Sequence, residues 1–223
     1  MELLSIVRAR SIWLVDMQDL NPRGKHIESE LIEWLRDNYH FSKSPSSVSD
    51  FDPQTKTLTL TQGSFQAREE FFISVDLNIY HDGLVADTRS STKDADAFLE
   101  DVLNLAVRDF SVVYKPEMIR QKLYLSELNV RSERPLNSLN PKLHEFARRI
   151  SSMLGTQNTI PCEFASIGFW PDPASTGRVS ISNFQFERKA NTPFSERRYY
   201  SRAPLHTDDH LKLLDEFEDL LVG

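Results

Sequence analysis

A helix-start motif that occurs twice at a fixed separation constrains the fold of this chain most strongly. Leu20-Asn21-Pro22 precedes apolar residues at helical spacing, and Leu139-Asn140-Pro141 precedes a matching set 119 positions further on. The apolar residues that keep this separation are Ile27, Leu31, Trp34 and Leu35 in the first copy and Phe146, Ile150, Met153 and Leu154 in the second. Identities and apolar matches at one offset indicate two copies of one structural unit.

Other segments support the same separation. Gly63-Ser64-Phe65-Gln66 matches Ser182-Asn183-Phe184-Gln185, again 119 positions apart. Farther along the separation falls by four, so that an amphipathic pattern starting at Thr92 matches one starting at Thr207. Surface loops tolerate insertions, so we place the difference in a loop between strands. Each copy then has the order strand, helix, three strands, helix.

Both Asn-Pro pairs predict helix starts, because Asn is a favoured N-cap and Pro lacks the N–H that goes unpaired at the first helical position. We therefore expect helices that begin at Pro22 and Pro141. The apolar residues that follow each start lie on one helix face, which predicts that this face packs against the core. Thr207 is expected to be the N-cap of the last helix.

The strand prediction is clearest at residues 71–80. Apolar residues alternate there with mostly polar ones, which is the pattern of a strand with one buried face. Asp82-Gly83 follows and predicts a tight hairpin turn, because glycine tolerates positive φ. In the second copy, strands are expected at residues 164–170, 179–186 and 198–200.

These elements predict an α+β fold built from a tandem duplication of a β-α-β-β-β-α unit. Strands joined by short turns pair antiparallel, so we expect an antiparallel sheet with the helices packed on one face. The first α+β repeat is assigned to residues 1–115 and the second to residues 116–223. We expect the two to pack as one continuous domain, with a saddle-like or two-lobed sheet.

Composition narrows the classes of function. The chain has 223 residues, a formal net charge of −7 and one cysteine, Cys162. A single cysteine excludes an intramolecular disulfide and a multi-cysteine metal site. The charge disfavours general binding to nucleic acid or anionic membranes. No apolar run reaches the roughly 20 residues of a membrane span and no signal-peptide pattern opens the chain, so a cytoplasmic protein is expected.

A basic, tyrosine-containing segment at residues 186–202 is the leading candidate for a binding site. It has five cations against two glutamates in an otherwise acidic chain. Arginine binds phosphate or carboxylate with two hydrogen bonds, and tyrosine offers a stacking face. The alternative is a surface hairpin whose arginines pair with the protein's own acidic groups. The candidate residues are Arg188, Lys189, Arg197, Arg198, Tyr199, Tyr200 and Arg202.

Three other polar groups are candidates for a catalytic, metal-binding or phosphate-binding role, and each also has a structural explanation. His206 and His210 have the spacing of metal ligands on a helix, but the segment between them also suits a helix start. Cys162 lacks a nearby Cys-His signature, which favours a small buried residue over a nucleophile. Ser91 or Thr92 is expected to cap the helix that follows, because the segment before it has no glycine to cradle phosphate.

The function predicted from the sequence is a non-enzymatic binding or assembly protein that recognises a protein partner. The binding surface would combine the basic segment with an open sheet face. A nucleic-acid- or nucleotide-binding module that uses the same segment is the alternative. No catalytic or cofactor motif occurs, so no cofactor is expected, although a hydrolase or transferase using His81, Asp82 or the pair His206 and His210 is a further alternative. Both a monomer and a homodimer are compatible with the pattern. The sheet-face residues are Gln66, Phe72, Ser74, Asp76, Asn78, Tyr80 and Gln185.

Overall fold

A computed structural model describes residues 1–24, 28–45, 57–110, 112–154, 160–175 and 180–221. The strands are β1 (Glu2–Leu14), β2 (Leu58–Arg68), β3 (Phe71–Tyr80), β4 (Gly83–Thr88), β5 (Gln121–Arg131), β6 (Ser166–Phe169), β7 (Phe184–Arg188) and β8 (Arg198–Ala203). The helices are α1 (Met17–Leu20), α2 (Glu28–Tyr39), α3 (Thr92–Phe110), α4 (Pro141–Leu154) and α5 (Thr207–Leu220).

The described strands form a sheet in the order β2-β3-β4-β1-β5-β8-β7-β6. The pairs β2 with β3, β3 with β4, β4 with β1, β8 with β7 and β7 with β6 are antiparallel. The predicted α+β class with an antiparallel sheet is therefore confirmed. Once the four-residue α1 is set aside, each half of the chain has the order strand, helix, three strands, helix.

The chain forms two compact units whose segments interleave along the sequence. Unit N comprises Arg8–Ser126 and Leu205–Thr207, and unit C comprises Met1–Val7, Glu127–Pro204 and Asp208–Gly223. These units are defined by spatial proximity and do not coincide with the predicted repeats at residues 1–115 and 116–223. The repeat boundary stays a prediction.

The core of unit N lies between two helices and one face of the sheet. Tyr39 of α2 meets Phe98 of α3 edge to face, with ring centroids 5.0 Å apart. Phe65 of β2 lies 5.4 Å from Phe98 by the same measure. The buried side chains of β3 join the same cluster, so α2 and α3 cover one face of these strands, as predicted. They are Ile73, Val75 and Leu77.

Strand β3 follows the predicted alternation from Ile73 onward, whereas Phe71, also expected on the buried face, is exposed, and the hairpin differs at the turn. Phe72 and Ser74 are exposed, whereas Asp76, Asn78 and Tyr80 are half-buried. The turn consists of His81 and Asp82, because Tyr80 already pairs with Gly83. Gly83 therefore lies in β4, and the expectation that it serves as a turn residue with positive φ is wrong. Its small size is needed because a Cβ at Gly83 would lie 2.6 Å from the backbone oxygen of Trp13.

The two Asn-Pro pairs differ in structure. Asn140 caps α4, since its side chain accepts hydrogen bonds from the backbone N–H groups of Lys142 at 2.9 Å and Leu143 at 3.2 Å. Asn21 instead ends α1, and Pro22 lies in a turn, so the helix start predicted at Pro22 is wrong. The reason is a competing N-cap, Asp16, whose carboxylate accepts from the Gln18 N–H at 2.9 Å. Ile27 lies outside the described residues, as does Val179 in the second copy.

The start of α3 confirms the predicted cap. The Asp94 N–H donates to Ser91 Oγ at 3.1 Å, and the Asp94 carboxylate accepts from the Ser91 N–H at 3.3 Å. This reciprocal arrangement satisfies two backbone donors at a helix start. Ser90 also donates to the same carboxylate. Burial acts to raise the pKa of Asp94, but the hydrogen bonds from Ser90 and Ser91 and the charge of Arg68 outweigh it and leave this pKa below its ordinary value.

Two threonines exchange hydrogen bonds inside unit N. The Thr92 N–H donates to Thr207 Oγ1 at 3.1 Å, and the Thr207 N–H donates to Thr92 Oγ1 at 3.0 Å. Thr207 is the first residue of α5, so its expected role as the N-cap of its own helix is wrong. Its hydroxyl serves the start of α3 instead, because an acceptor distant in sequence is close in space.

One carboxylate connects α3 to β1 and β5. Asp96 accepts hydrogen bonds from Trp13 Nε1 at 2.7 Å, from the Tyr124 hydroxyl at 3.0 Å and from the Ser11 hydroxyl. Burial and the neighbouring Asp96 charge raise the pKa of Tyr124, so this phenol stays a donor. The Tyr124 ring also lies against His206, with ring centroids 3.6 Å apart.

Replacing Gly83 with alanine should destabilise the protein, because the added Cβ meets backbone and cannot move aside. We expect a loss of about 1–3 kcal/mol in the free energy of unfolding, measured by urea denaturation. Gly168→Ala is the matched control, since its Cβ would meet only an ordinary contact, 3.5 Å from Phe184 O. Equal losses in the two variants would contradict the close approach.

Asp94→Asn should lower stability by about 1 kcal/mol near neutral pH, because it removes the carboxylate that completes the cap. The folded pKa of Asp94 is lowered, so its contribution is present above the ordinary pKa of 3.8 and is lost as the pH falls through the folded value. The difference between wild type and Asp94→Asn should therefore shrink in acid. Denaturation at about pH 7 and about pH 3 measures this difference in the free energy of unfolding. Asp37→Asn, at an exposed position, is the control. A difference that grows in acid would refute this account.

Candidate protein-binding surface

The core of unit C is built by α5 and the sheet. The Phe186 ring of β7 stacks on Tyr199 of β8, with centroids 4.6 Å apart, and meets Phe217 of α5 edge to face at 5.0 Å. The Tyr199 hydroxyl accepts a hydrogen bond from the Leu136 N–H at 3.0 Å. These contacts bury the apolar face of α5, apart from the exposed Leu220. The core is complete without α4, none of whose residues belongs to it.

The apolar side of α4 is exposed, which overturns the expectation that it faces the core. Met153 is 86% exposed and Phe146 is 61% exposed. We call this surface the α4 face; it consists of Leu143, Phe146, Ile150, Met153 and Leu154, all of them exposed.

Two small residues on an adjacent side of α4 make its buried contacts. Ala147 and Ser151 are the buried residues of this helix. The Ser151 hydroxyl accepts a hydrogen bond from the Cys162 N–H at 2.8 Å, which fastens the helix to the following chain. Because residues four apart share a side of a helix, this pair defines one line of contact, and the larger apolar side chains beside it are exposed.

Exposed apolar residues also occur at the end of β6. Phe169 is the last residue of this strand, and Trp170, which follows it, is 79% exposed. Strand β6 has four residues and stands at the end of the sheet order. A short edge strand offers little surface to cover a helix of fourteen residues.

Cations border the α4 face. Lys142 precedes Phe146 by four positions and Arg149 follows it by three, so both lie beside Phe146 on the helix surface. Within the described ranges, neither side chain forms an ion pair. The surface thus combines apolar side chains with positive charge in a protein of net charge −7.

The structure places the residues of the predicted basic site in several separate contacts. Arg188 is largely buried; it donates to Glu163 Oε2 at 2.7 Å, and its guanidinium lies 4.1 Å from the centre of the Phe194 ring. Tyr199 is buried in the core of unit C. Burial also raises the pKa of Tyr199. These two side chains contribute to the ion pairing and packing of unit C.

The remaining members of the predicted site also bind within unit C. Lys189 Nζ donates to Asn129 Oδ1 at 3.0 Å, and Arg198 pairs with Glu196 at 3.0 Å. Arg202 donates to Asn183 Oδ1 at 2.5 Å, and Arg197 donates to the backbone oxygen of Glu133. Tyr200 is half-buried. Lys189 and Arg198 are the exposed members of the set, and binding by this segment stays a prediction.

The two histidines of the candidate metal site have different partners. His206 Nδ1 lies 3.3 Å from Thr92 Oγ1, whereas the buried His210 shares a hydrogen bond of 2.8 Å with Ser201. Among the described residues, no group of three or more His, Cys, Asp or Glu side chains is placed to hold a metal ion. Cys162 is half-buried. The exposed side chains of His81 and Asp82 lie 3.9 Å apart in the β3–β4 turn.

Sequence reasoning identified the α4 residues but assigned them to the core. Helical spacing shows which residues share a face and does not show whether another element covers that face. The signal that could have distinguished the two cases is the pair of small residues, Ala147 and Ser151, beside the large apolar ones. Such a pair permits close backbone contact on a second side of the helix.

No protein-family model matches the chain, and no curated protein resembles it significantly. In the described part of the chain, no helix combines the length and apolar composition that crossing a bilayer requires.

Arg188→Met should destabilise unit C by about 2–4 kcal/mol, because it leaves the largely buried Glu163 carboxylate without its cation. Arg198→Gln, at an exposed ion pair, should cost at most about 1 kcal/mol. Thermal and urea denaturation of both variants measure the difference. Similar, small effects would show that Arg188 is dispensable for folding.

Proposed function

We propose that this protein binds a partner protein through the α4 face. The observation that carries the proposal is the exposure of five large apolar side chains on one side of a single helix. Soluble proteins rarely expose contiguous apolar surface without an interaction that uses it. Trp170 and Phe169 add aromatic side chains in the same unit, and aromatic residues are enriched in protein interfaces.

The partner surface is an amphipathic helix with acidic residues beside its apolar side chains. An apolar helix face takes an apolar helix of a partner, and Lys142 and Arg149 at its border would attract carboxylates. Two acidic chains repel each other at a distance, so this local positive charge would also orient the encounter. Charge complementarity at Lys142 and Arg149 therefore supports an acidic partner segment.

We infer that the two halves of the chain arose by tandem duplication. The matching element orders and the mirrored strand order support this origin. In the first half, α2 places Ile32 and Leu35 in a core, whereas α4 leaves its large apolar residues exposed. On this view the first copy kept a closed core and the second copy became the binding half.

A designed peptide tests the proposed partner chemistry. A helical peptide with leucines on one side and glutamates beside them should bind the full-length protein, and the same peptide with lysine for glutamate should bind at least about tenfold more weakly. Phe146→Glu with Met153→Glu should abolish binding. Lys142→Glu with Arg149→Glu should reverse the preference between the peptides. Fluorescence anisotropy gives the affinities.

Leu220→Glu is the matched control, because Leu220 is also exposed on a helix of unit C but lies outside the α4 face. It should leave peptide binding unchanged. Two experiments test the other occupants of the face. If light scattering shows a dimer that the Phe146 and Met153 changes abolish, the face binds a second copy of the chain. If the protein sediments with anionic vesicles, the face binds a membrane. Either result, or equal affinity for both peptides, overturns the proposal.

A further inference from the structure

Unit N contains an apolar cavity, and its described lining residues all lie outside α4. Its volume is about 370 Å³. Side chains of α3 form one wall, and residues of β2, β3 and β4 form the opposite one. The principal apolar lining residues are Leu58, Ile79, Leu84, Val102, Leu103 and Ala106.

Polar groups occur in a small part of the lining. Among the described lining residues they are Asn21, Tyr80, which is the last residue of β3, and His81, which begins the following turn. The His81 side chain is 78% exposed, so this end of the cavity is its mouth. A molecule that enters here would meet hydrogen-bonding groups at the mouth and hydrocarbon inside.

The size and chemistry of the cavity favour an organic ligand over water. Ligand pockets commonly measure about 300–1,000 Å³ and combine an apolar lining with a few polar groups. Water finds few hydrogen-bond partners on the apolar part of this lining, so an apolar molecule that displaces it gains free energy.

We propose that the cavity binds a small, uncharged, largely apolar molecule with one hydrogen-bonding group. Among the residues that the structure describes, none that lines the cavity is a lysine or arginine, so this described lining offers no such cation to an anionic head group. Asp82 lies 3.9 Å from His81 at the mouth and repels a carboxylate. Tyr80 provides a hydroxyl group, which can donate to or accept from an alcohol, amine or carbonyl. Medium-chain alcohols and two-ring aromatic amines belong to this class.

Titration with N-phenyl-1-naphthylamine, an uncharged fluorescent amine, tests the site in the full-length protein. We expect saturable binding of one molecule per chain. Ala106→Phe extends a ring from the cavity wall and should weaken binding by about tenfold or more. Val107→Phe adds the same ring at the next residue, which is exposed and does not line the cavity, and should leave the affinity unchanged. Decan-1-ol should displace the probe more effectively than decanoate.

Two further variants keep the test decisive. Ala106→Leu adds a smaller side chain with good helix propensity and should weaken binding by less than Ala106→Phe. If Ala106→Phe does not fold, the affinity of Ala106→Leu provides the test. Met153→Glu on the α4 face should not change the affinity. Absence of saturable binding, wild-type affinity in the Ala106 variants, or loss of binding in Met153→Glu would overturn the proposal.

Discussion

The hydrogen bonds to the Asp96 carboxylate are the constraint on which unit N most depends. Three donors from two strands converge on one acidic side chain of α3, and two of them, Ser11 and Trp13, come from β1. The Asp96 carboxylate is half-buried, and these donors replace part of its hydration. The contacts favour the observed register of β1 and β5 against α3, because a shift of one residue would turn the donors to the other sheet face.

The two halves solve the same packing problem differently. In the first half, α2 brings an aromatic side chain, Tyr39, into a cluster with Phe41 and Phe98. In the second half, α4 makes its contact through alanine and serine and leaves large side chains outside. Each Å² of apolar surface that stays in water costs the folded state about 25 cal/mol of the stabilisation that burial would have provided. Helix α2 gains this stabilisation in the first half, whereas α4 does not gain it in the second. The α4 face is therefore the place where we expect a partner to bind.

Sequence reasoning succeeded where the determining interactions are local. Alternation along β3 from Ile73 onward and the Asn140 cap depend on neighbours in the chain, and both agree with the structure. It failed where two signals compete or where a distant residue intervenes. Asp16 starts a helix before Asn21 can, and the Thr207 hydroxyl is taken by the Thr92 N–H, 115 residues away. The exposure of the α4 face and the cavity beside Ala106 depend on tertiary arrangement, which residue spacing does not contain.

The exchange between Thr92 and Thr207 has a consequence for synthesis of the chain. Translation delivers Thr92 long before Thr207, so the N–H of Thr92 has no native acceptor while most of the second half is still being made. Unit N likewise includes Leu205–Thr207 and is incomplete until they emerge from the ribosome. Folding of unit N therefore ends only after Leu205–Thr207 have left the ribosome, although most of its residues are synthesised much earlier.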